Sequence, residues 1–496
     1  MSEIFDADVV VVGYGPVGMT TAALLGRAGH SVIALERYPS LFNLPRAGIF
    51  DDEIMRTLAK LDIAPALIRK IRAQEGYEWR NGDGELLIEH SFALRGRSGW
   101  AEWYQFYQPD LEQALDKAVR DSGNVEVRFN TTVTGYDQDD EGVSVSLADG
   151  TSVRARYVVA ADGGNGFSRG ALNAEYHDYG FSEPWMPCDF EITADVDLPH
   201  ALQICDPKQP RSVISLGPKH QRFAFLLKSE EDFEQERSHE KVWARVSSYI
   251  NPEQAKLVRV ATYVFRSLVV DKWRHGKIML AGDAAHQMPP FLGQGMCSGV
   301  RDAQSLAFRL DLILTGRAGD GILDGYQTER EPQVTAVLLK GIELGRIQTT
   351  RDLAVAQERD RRLLADRAAK RKPEKMRFPG IGPGLIADQE AAGSLFPQGD
   401  VFINGHKDRF DTVLGFGLTI LSGPEAPRLS SEAKARARQT ADIVAELTPE
   451  ADAQGIYTDW FREHNAQFVI VRPDFYVYGT ATDETGLLAL IEQFEQ

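Results

Sequence analysis

Ala7-Asp8-Val9-Val10-Val11-Val12 runs directly into Gly13-Tyr14-Gly15-Pro16-Val17-Gly18, and the fold is decided at that junction. The β-branched run reads as a strand buried on both faces of a parallel sheet. A helical pattern follows from Pro16 to Ala28 and closes at Gly29. A second strand, Ser31 to Leu35, ends at Glu36. The result is a βαβ unit carrying G-x-G-x-x-G, with an acid eighteen residues after the last glycine. In such a unit Gly13 makes the turn, Gly15 lets a pyrophosphate approach, and Gly18 lets helix pack on strand. Glu36 is placed for ribose hydroxyls, with Pro16 and Arg37 in the same site. The glycines alone are a weak signal, but the strand–helix–strand context with the acid points to a dinucleotide. NAD(P) and FAD share an ADP half, so this stretch leaves both open.

Outward from that unit, length and composition set the frame. The chain has 496 residues, enough for about three domains. Its composition, 43% hydrophobic and 26% charged, is that of an ordinary soluble globular protein. A net charge of −17 argues against nucleic acid or an anionic membrane as partner. Cys188, Cys205 and Cys297 are far apart and form no CxxC, so no disulfide framework or metal site is implied, and a reducing cytoplasm is expected. The acidic Met1–Asp8 segment has no basic start, so no signal peptide is read there.

Further along, Pro45-Arg46-Ala47 follows the second strand. Gln108 stands at the mouth of a helix opened by Pro109-Asp110. The aromatic-rich stretch before it includes Tyr104 and Tyr107, which read as packing or as pocket phenols. Tyr157–Ala160 reads as another buried strand, ending Ala161-Asp162-Gly163, where Asp162 reads as a cap or a ligand group. From Trp185 to about Val270 alternating strands appear, as expected of an antiparallel sheet inserted into an α/β domain. The chain then returns with a strand, Lys277–Ala281, and Gly282-Asp283-Ala284-Ala285-His286, Pro289-Pro290 and Gly293-Gln294-Gly295 before a long helix. A helix N-terminus carries free N–H groups and partial positive charge, which suits an anion or an electron-rich carbonyl. Arg346–Arg371 reads as one charged helix and Pro373–Gly384 as a linker. The remainder reads as strand, helix, strand, an antiparallel pair and a closing helix, a thioredoxin-like layer without CxxC.

Three segments in this order, Gly13–Gly18 with Glu36, Ala161-Asp162-Gly163, and Gly282–His286 with Pro289-Pro290, resemble the single-component flavoprotein aromatic hydroxylases of the p-hydroxybenzoate hydroxylase type. The Val471-Arg472-Pro473-Asp474 region resembles the thioredoxin-like tail of the larger phenol hydroxylase branch. Pro45-Arg46-Ala47, Ile49–Glu53, Cys205-Asp206-Pro207 and Gly293-Gln294-Gly295 are most similar to 3-(3-hydroxyphenyl)propionate hydroxylases. The resemblance implies an α/β fold: a Rossmann-type FAD-binding domain (1–180 and 271–345), an inserted antiparallel substrate sheet (181–270, with part of 76–100), a charged helix and linker (346–384), and a thioredoxin-like domain (385–496).

It also implies roles. Gly13, Gly15, Pro16 and Gly18 would hold the FAD pyrophosphate, and Glu36 and Arg37 the adenosine end. Arg46 and Gln108 would touch the phosphates or ribityl chain, and Val133 would offer backbone to the adenine. Asp162 would support the strand end beneath the pyrophosphate, and Asp283 would take ribityl hydroxyls. Backbone N–H groups of Gly295, Met296 and Cys297 would face the flavin, and the Pro290 carbonyl the substrate ring. His286 reads as structural. Gln203, Cys205, Ser212, Ile214, Phe223 and Phe225 are candidates for the substrate lid. The implied reaction uses NADH or NADPH and O2 and hydroxylates a phenol through a flavin hydroperoxide, with no metal. A homodimer is also expected. Two alternatives share the motifs: a hydroxylase or epoxidase of a polycyclic natural product, and a flavin-binding interaction protein without turnover.

Overall fold

The computed structural model describes residues 5–229, 233–375, 378–403 and 405–495. The first four residues of the acidic N-terminal segment and residues 376–377 of the expected linker lie outside these.

The first strand, Ala7–Val12, lies at the centre of a parallel sheet, which is why its valines are buried on both faces. The sheet order is Val125–Arg128, Val32–Leu35, Ala7–Val12, Ser152–Ala160 and Ile278–Leu280, with a short antiparallel edge at Arg274–His275. Register aligns the strand ends. Val12 lies beside Leu35 and Ala160, and Ala160 lies beside Leu280. Gly13, Glu36, Ala161 and Ala281 therefore emerge side by side at one edge, the carboxyl edge where α/β sheets bind ligands. The Pro16–Arg27 and Gly295–Leu314 helices cross closely on one face of this sheet. A Cβ at Gly299 would sit 2.5 Å from Val17 and 3.1 Å from the Gly282 backbone.

A second sheet stands over that edge. Its order is Ala255–Val260, Glu183–Ile192, His220–Leu226, Arg211–Ser215, Ala201–Ile204, Gly76–Arg80 and Leu86–Ser91, with Tyr263–Phe265 off the path. The hairpin from 76–91 thus joins the inserted sheet, pairing Gly76–Arg80 parallel to Ala201–Ile204. One face is sealed by the His239–Val246 helix, which packs on Phe190, Phe223 and Phe225.

The expected single helix at Arg346–Arg371 is two. Asp324–Thr349 ends, Thr350-Arg351-Asp352 turns, and Leu353–Ala368 starts with Asp352 accepting from the Val355 N–H at 3.0 Å. A charged composition had hidden an N-cap. The Pro/Gly-rich segment after it is not a loose linker in its described part. Gly382 N–H donates to the Glu329 carbonyl at 2.8 Å, and Gln333 Nε2 donates to the Pro379 carbonyl at 2.7 Å. The C-terminal region forms a strand order Ile443–Glu446, Thr419–Ser422, Phe468–Val471, Val477–Ala481, flanked by the Ser431–Thr440, Ile456–Glu463 and Glu484–Glu495 helices. No helix among the described residues is long and apolar enough to cross a membrane.

Candidate active site

The cleft is built from the aligned strand ends. Gly13 has φ +94°, and a Cβ there would lie 2.5 Å from the Ala161 carbonyl oxygen and 2.7 Å from the Asp162 Cα. Only glycine combines that backbone with that approach. At Gly15 a Cβ would meet nothing within 4 Å, so the turn opens onto free space where Pro16 begins the helix. Gly18 packs directly on the Gly13 carbonyl. Glu36 holds the turn from the next strand end. Its carboxylate accepts from the Tyr14 N–H at 2.9 Å and from the Tyr38 N–H at 3.0 Å. Arg37 is exposed beside it and donates to the Tyr38 hydroxyl at 3.3 Å. Val133 is buried and opens the Val133–Gln138 strand, just past the Glu36 edge, where the Thr131 N–H donates to the Glu36 carbonyl at 2.8 Å.

A loop at 42–47 forms the facing wall. The Gln108 side chain is buried and engaged on both ends. Its Oε1 accepts from the Arg46 and Ala47 N–H groups at 3.1 and 2.7 Å, and its Nε2 donates to Glu112 at 2.6 Å. Gln108 thus fixes the loop that presents Arg46. The Arg46 guanidinium is exposed and lies 4.3 Å over the Phe42 ring. From the inserted sheet, Arg222 pairs with Asp189 at 2.6 Å and donates to the Pro45 and Arg46 carbonyls, while Arg259 donates to the Pro45 carbonyl. The two sheets are therefore joined at the loop that carries Arg46.

The last strand end supplies Asp283. Its carboxylate accepts no hydrogen bond among the described residues, although its backbone is held by Arg169, which donates to the Asp283 and Ala284 carbonyls at 2.6 and 3.2 Å. The side chain faces solvent, yet protein walls it closely enough that burial raises its carboxyl pKa, with His286, Arg46 and Arg169 pulling it back. An acid that is both reachable and desolvated lies at the bottom of a cleft. Asp162 is a partial cap: its Oδ2 accepts from the Ser168 N–H and hydroxyl at 2.8 and 2.9 Å, and its Oδ1 is buried with no partner.

His286 belongs to the interior. It is fully buried and bonds Asp302 through Nε2 at 2.7 Å. Asp302 also accepts from the Gly282 N–H at 3.0 Å and from Arg330 at 3.0 Å. Burial opposes the Asp302 charge, but His286 and Arg330 hold its pKa below the usual carboxylate range. The structural reading of His286 agrees with this placement.

Pro290 opens a short 3-10 turn, and its carbonyl accepts from the Gly293 N–H at 2.9 Å. The expected free carbonyl is thus partly spent on closing the turn, and the exposed proline ring and one lone pair remain. Gly293 has φ +62°, and the Gly295–Leu314 helix then begins, its first intrahelical bond running from the Ser298 N–H to the Gln294 carbonyl at 2.8 Å. The N–H groups of Gly295, Met296 and Cys297 have no acceptor among the described residues, as at any uncapped helix start. Cys297 is buried, and burial raises its thiol pKa out of reach of ionisation.

Pairing separates the substrate-sheet candidates. Gln203 lies beside Ser212, Ser212 beside Ala224, and Ile214 beside Arg222, so Gln203, Ser212 and Ile214 share the face that carries Trp185 and Arg222. Phe223 pairs with Val213 and Cys188 on the opposite face, and Phe225 follows it. Both pack beneath the His239–Val246 helix and are not lid residues. A one-residue change of phase moves a side chain through the sheet, and the sequence alone does not set that phase. Cys205 is buried just beyond its strand against Trp79 and Leu87. Tyr104 is buried in a small sheet with Phe50, and Tyr107 stacks on His220 at 3.7 Å.

Four residues with evident tasks escaped sequence reading. Arg169 links the second and third segments, and its only signal was its place after Asp162-Gly163. Arg222 with Asp189, and Asp302, act between elements distant in sequence and left no local signal.

The open turn at Gly15, the orphaned Asp162 oxygen and the unpartnered Asp283 carboxylate fit a dinucleotide laid along the strand ends. Comparison with known proteins agrees. The FAD binding domain family matches residues 6–340, and the HcaD C-terminal domain matches residues 393–496. A protein of Rhodococcus jostii (strain RHA1) called probable NADH-specific resorcinol 4-hydroxylase is 46% identical, covering 98% of this chain and 94% of its own length. The 3-(3-hydroxy-phenyl)propionate/3-hydroxycinnamic acid hydroxylase of Mycobacterium sp. (strain JLS) is 29% identical over 96% of this chain and 89% of its own. The crystal structure of aklavinone-11 hydroxylase with FAD and aklavinone shares the fold at a TM-score of 0.81, with 22% identity and 99% of each chain covered. The chain belongs to the FAD-binding-domain family, as one of its flavoprotein aromatic hydroxylases.

Proposed function

We propose that this chain hydroxylates a small phenol, with a resorcinol-type dihydroxybenzene as first candidate and NADH as the electron donor. The observation that carries the reading is the 46% identity to the resorcinol 4-hydroxylase relative across almost the whole of both chains. FAD, when bound, supplies the redox and oxygen chemistry.

The chain's own groups do the rest. Glu36, already oriented by the Tyr14 and Tyr38 N–H groups, keeps lone pairs for ribose hydroxyls. The open turn at Gly13–Gly18 and the exposed Arg46 take the pyrophosphate. Arg37 lies toward the adenosine end, and Val133 offers backbone there. Asp162 supports the strand end through its free Oδ1, and Asp283 accepts from ribityl hydroxyls. The free N–H groups of Gly295, Met296 and Cys297, with the helix dipole behind them, stabilise negative charge on a ring placed against them. The Pro290 segment carries the exposed ring and remaining lone pair that meet the substrate. The inserted sheet excludes water over that point through the face bearing Gln203, Ser212 and Ile214. The domain limits near 180, 270 and 384 are kept in this reading, the limit at 345 shifts to the end of the Asp324–Thr349 helix, and the 385–496 unit acts as a thioredoxin-like support without thiol chemistry.

The test is NADH oxidation by the FAD-loaded chain against resorcinol, phenol and 3-(3-hydroxyphenyl)propionate, with product quantified. Resorcinol should stimulate oxidation at least about tenfold and yield hydroxylated product in step with NADH consumed. Oxidation that no phenol stimulates, or that yields only hydrogen peroxide, overturns the reading.

A further inference from the structure

The C-terminal domain reaches toward the cleft through one hydroxyl. Tyr476 lies in the part matched by the HcaD C-terminal domain, and its side chain is buried. The hydroxyl donates to Glu53 Oε1 at 2.9 Å and accepts from Gln333 Nε2 at 3.1 Å. Burial, and then the Glu53 charge, raise its pKa, so the proton stays and the hydroxyl donates. Each partner begins a path of buried bonds. On the first, Glu53 Oε2 accepts from Arg301 Nε at 2.8 Å, and Arg301 Nη1 donates to Gln294 Oε1 at 2.9 Å. Gln294 Nε2 then donates to Asp51 at 3.0 Å, so the Gln294 amide is held at both ends. The Gln294 carbonyl accepts the first intrahelical bond of the Gly295–Leu314 helix, and the next N–H groups along the chain are those of Gly295, Met296 and Cys297.

On the second path, Gln333 Oε1 accepts from Arg330, Arg330 Nε donates to Asp302 Oδ1 at 3.0 Å, and Asp302 Oδ2 accepts from the Gly282 N–H at 3.0 Å. Gly282 has φ +60° and directly precedes Asp283. No residue on either path is more than 5% exposed, so solvent does not replace a lost bond and each side chain's place depends on the next. The two paths end at different parts of the ligand. The helix start meets the ring edge, which gains negative charge on reduction; Asp283 meets the ribityl chain, which does not. We propose that Tyr476 is a positioning residue for FAD: through Glu53, Arg301 and Gln294 it sets the flavin-facing helix start, and through Gln333, Arg330 and Asp302 it sets the Gly282–Asp283 turn. The C-terminal domain thereby tunes the flavin site as well as supporting the fold. This rests on the placement of FAD in the reading above.

The experiment is FAD titration of the apoprotein, with the flavin midpoint potential of the loaded chain, in wild type, Tyr476→Phe, Gln333→Leu and Lys60→Met. Lys60 is the control. It lies on the same Asp52–Lys60 helix as Glu53 and donates to the Pro473 carbonyl at 2.9 Å, so it joins the same two domains off both paths. Tyr476→Phe should weaken oxidised FAD about threefold and reduced FAD about tenfold, a difference of about threefold that lowers the midpoint potential by about 14 mV. Gln333→Leu cuts the Asp283 path and leaves the Tyr476–Glu53 bond, so it should weaken both forms about threefold and leave the potential unchanged. Lys60→Met should change neither quantity. Wild-type affinity and potential in Tyr476→Phe, or the same losses in Lys60→Met as in Tyr476→Phe, overturn the proposal while leaving the hydroxylase reading intact. A wild type that takes up no FAD overturns both.

Discussion

Two polar regions lie back to back across the start of the Gly295–Leu314 helix, and they are built on opposite rules. On the cleft side, Asp283, the Asp162 Oδ1 and the first helical N–H groups are left without partners. On the other side, toward the C-terminal domain, the buried charges meet one another. Arg301 bonds Asp51 at 2.6 Å, Glu53 at 2.8 Å and Gln294 at 2.9 Å, and Gln294 returns to Asp51 at 3.0 Å. Tyr476 of the C-terminal domain donates to Glu53 at 2.9 Å, Arg472 of the same domain bonds Glu329 at 2.8 Å, and Arg56 grips Asp411 at 2.6 and 2.9 Å. Unmet polarity marks where a ligand completes the protein; met polarity marks where the protein holds itself. His286 belongs to the second kind, since its Nε2 is bound from within by Asp302.

The largest expected break is Arg301→Met. It strands Asp51 and Glu53 in the interior and should cost about 3–5 kcal/mol, lowering the unfolding temperature with and without FAD. Equal stability of variant and wild type in chemical denaturation would dissolve the contrast. His286→Leu comes next. Asp302 keeps Arg330 and the Gly282 N–H, so the loss should be about 1–3 kcal/mol, with the pH profile of turnover unchanged in shape. A pH profile that loses one limb would move His286 to the cleft side. Tyr476→Phe leaves one Glu53 oxygen unmet and should cost about 1 kcal/mol, read as a shift in denaturant midpoint.

The smallest effect sharpens the seam. Asp52, next to Asp51, accepts from the Ser98 N–H at 2.7 Å and has no ion-pair partner among the described residues. Burial, and then the Asp51 charge, push its pKa from 3.8 to about 7. The folded state thus prefers the protonated acid. This contribution is full below the ordinary value and is lost as pH rises toward about 7. Asp52→Asn should gain stability over wild type as pH rises through that range and almost none near pH 4. A pH-independent difference in thermal stability would contradict it.

Much of the cleft was legible because its tasks are local. Gly13, Gly15, Gly18, Glu36 and Asp283 each act at a strand end, and a strand end announces itself by hydrophobic run and turn. What stayed hidden depends on partners far apart in sequence. Gln108 braces a loop sixty-one and sixty-two residues away, and Arg301 reaches back to Asp51 from a helix that follows the inserted sheet in the chain. The facing of Phe223 and Phe225 is set by sheet phase, and the break at Thr350–Asp352 by one capping acid inside a charged run.

The most direct measurement is FAD titration of the apoprotein, wild type against Asp283→Ala, with apoprotein unfolding recorded in parallel. The account predicts an unchanged apoprotein midpoint and FAD binding weakened by about tenfold or more, the loss of charged hydrogen bonds to the cofactor. An Asp283→Ala chain that binds FAD as tightly as wild type, or whose apoprotein is destabilised like Arg301→Met, would contradict it.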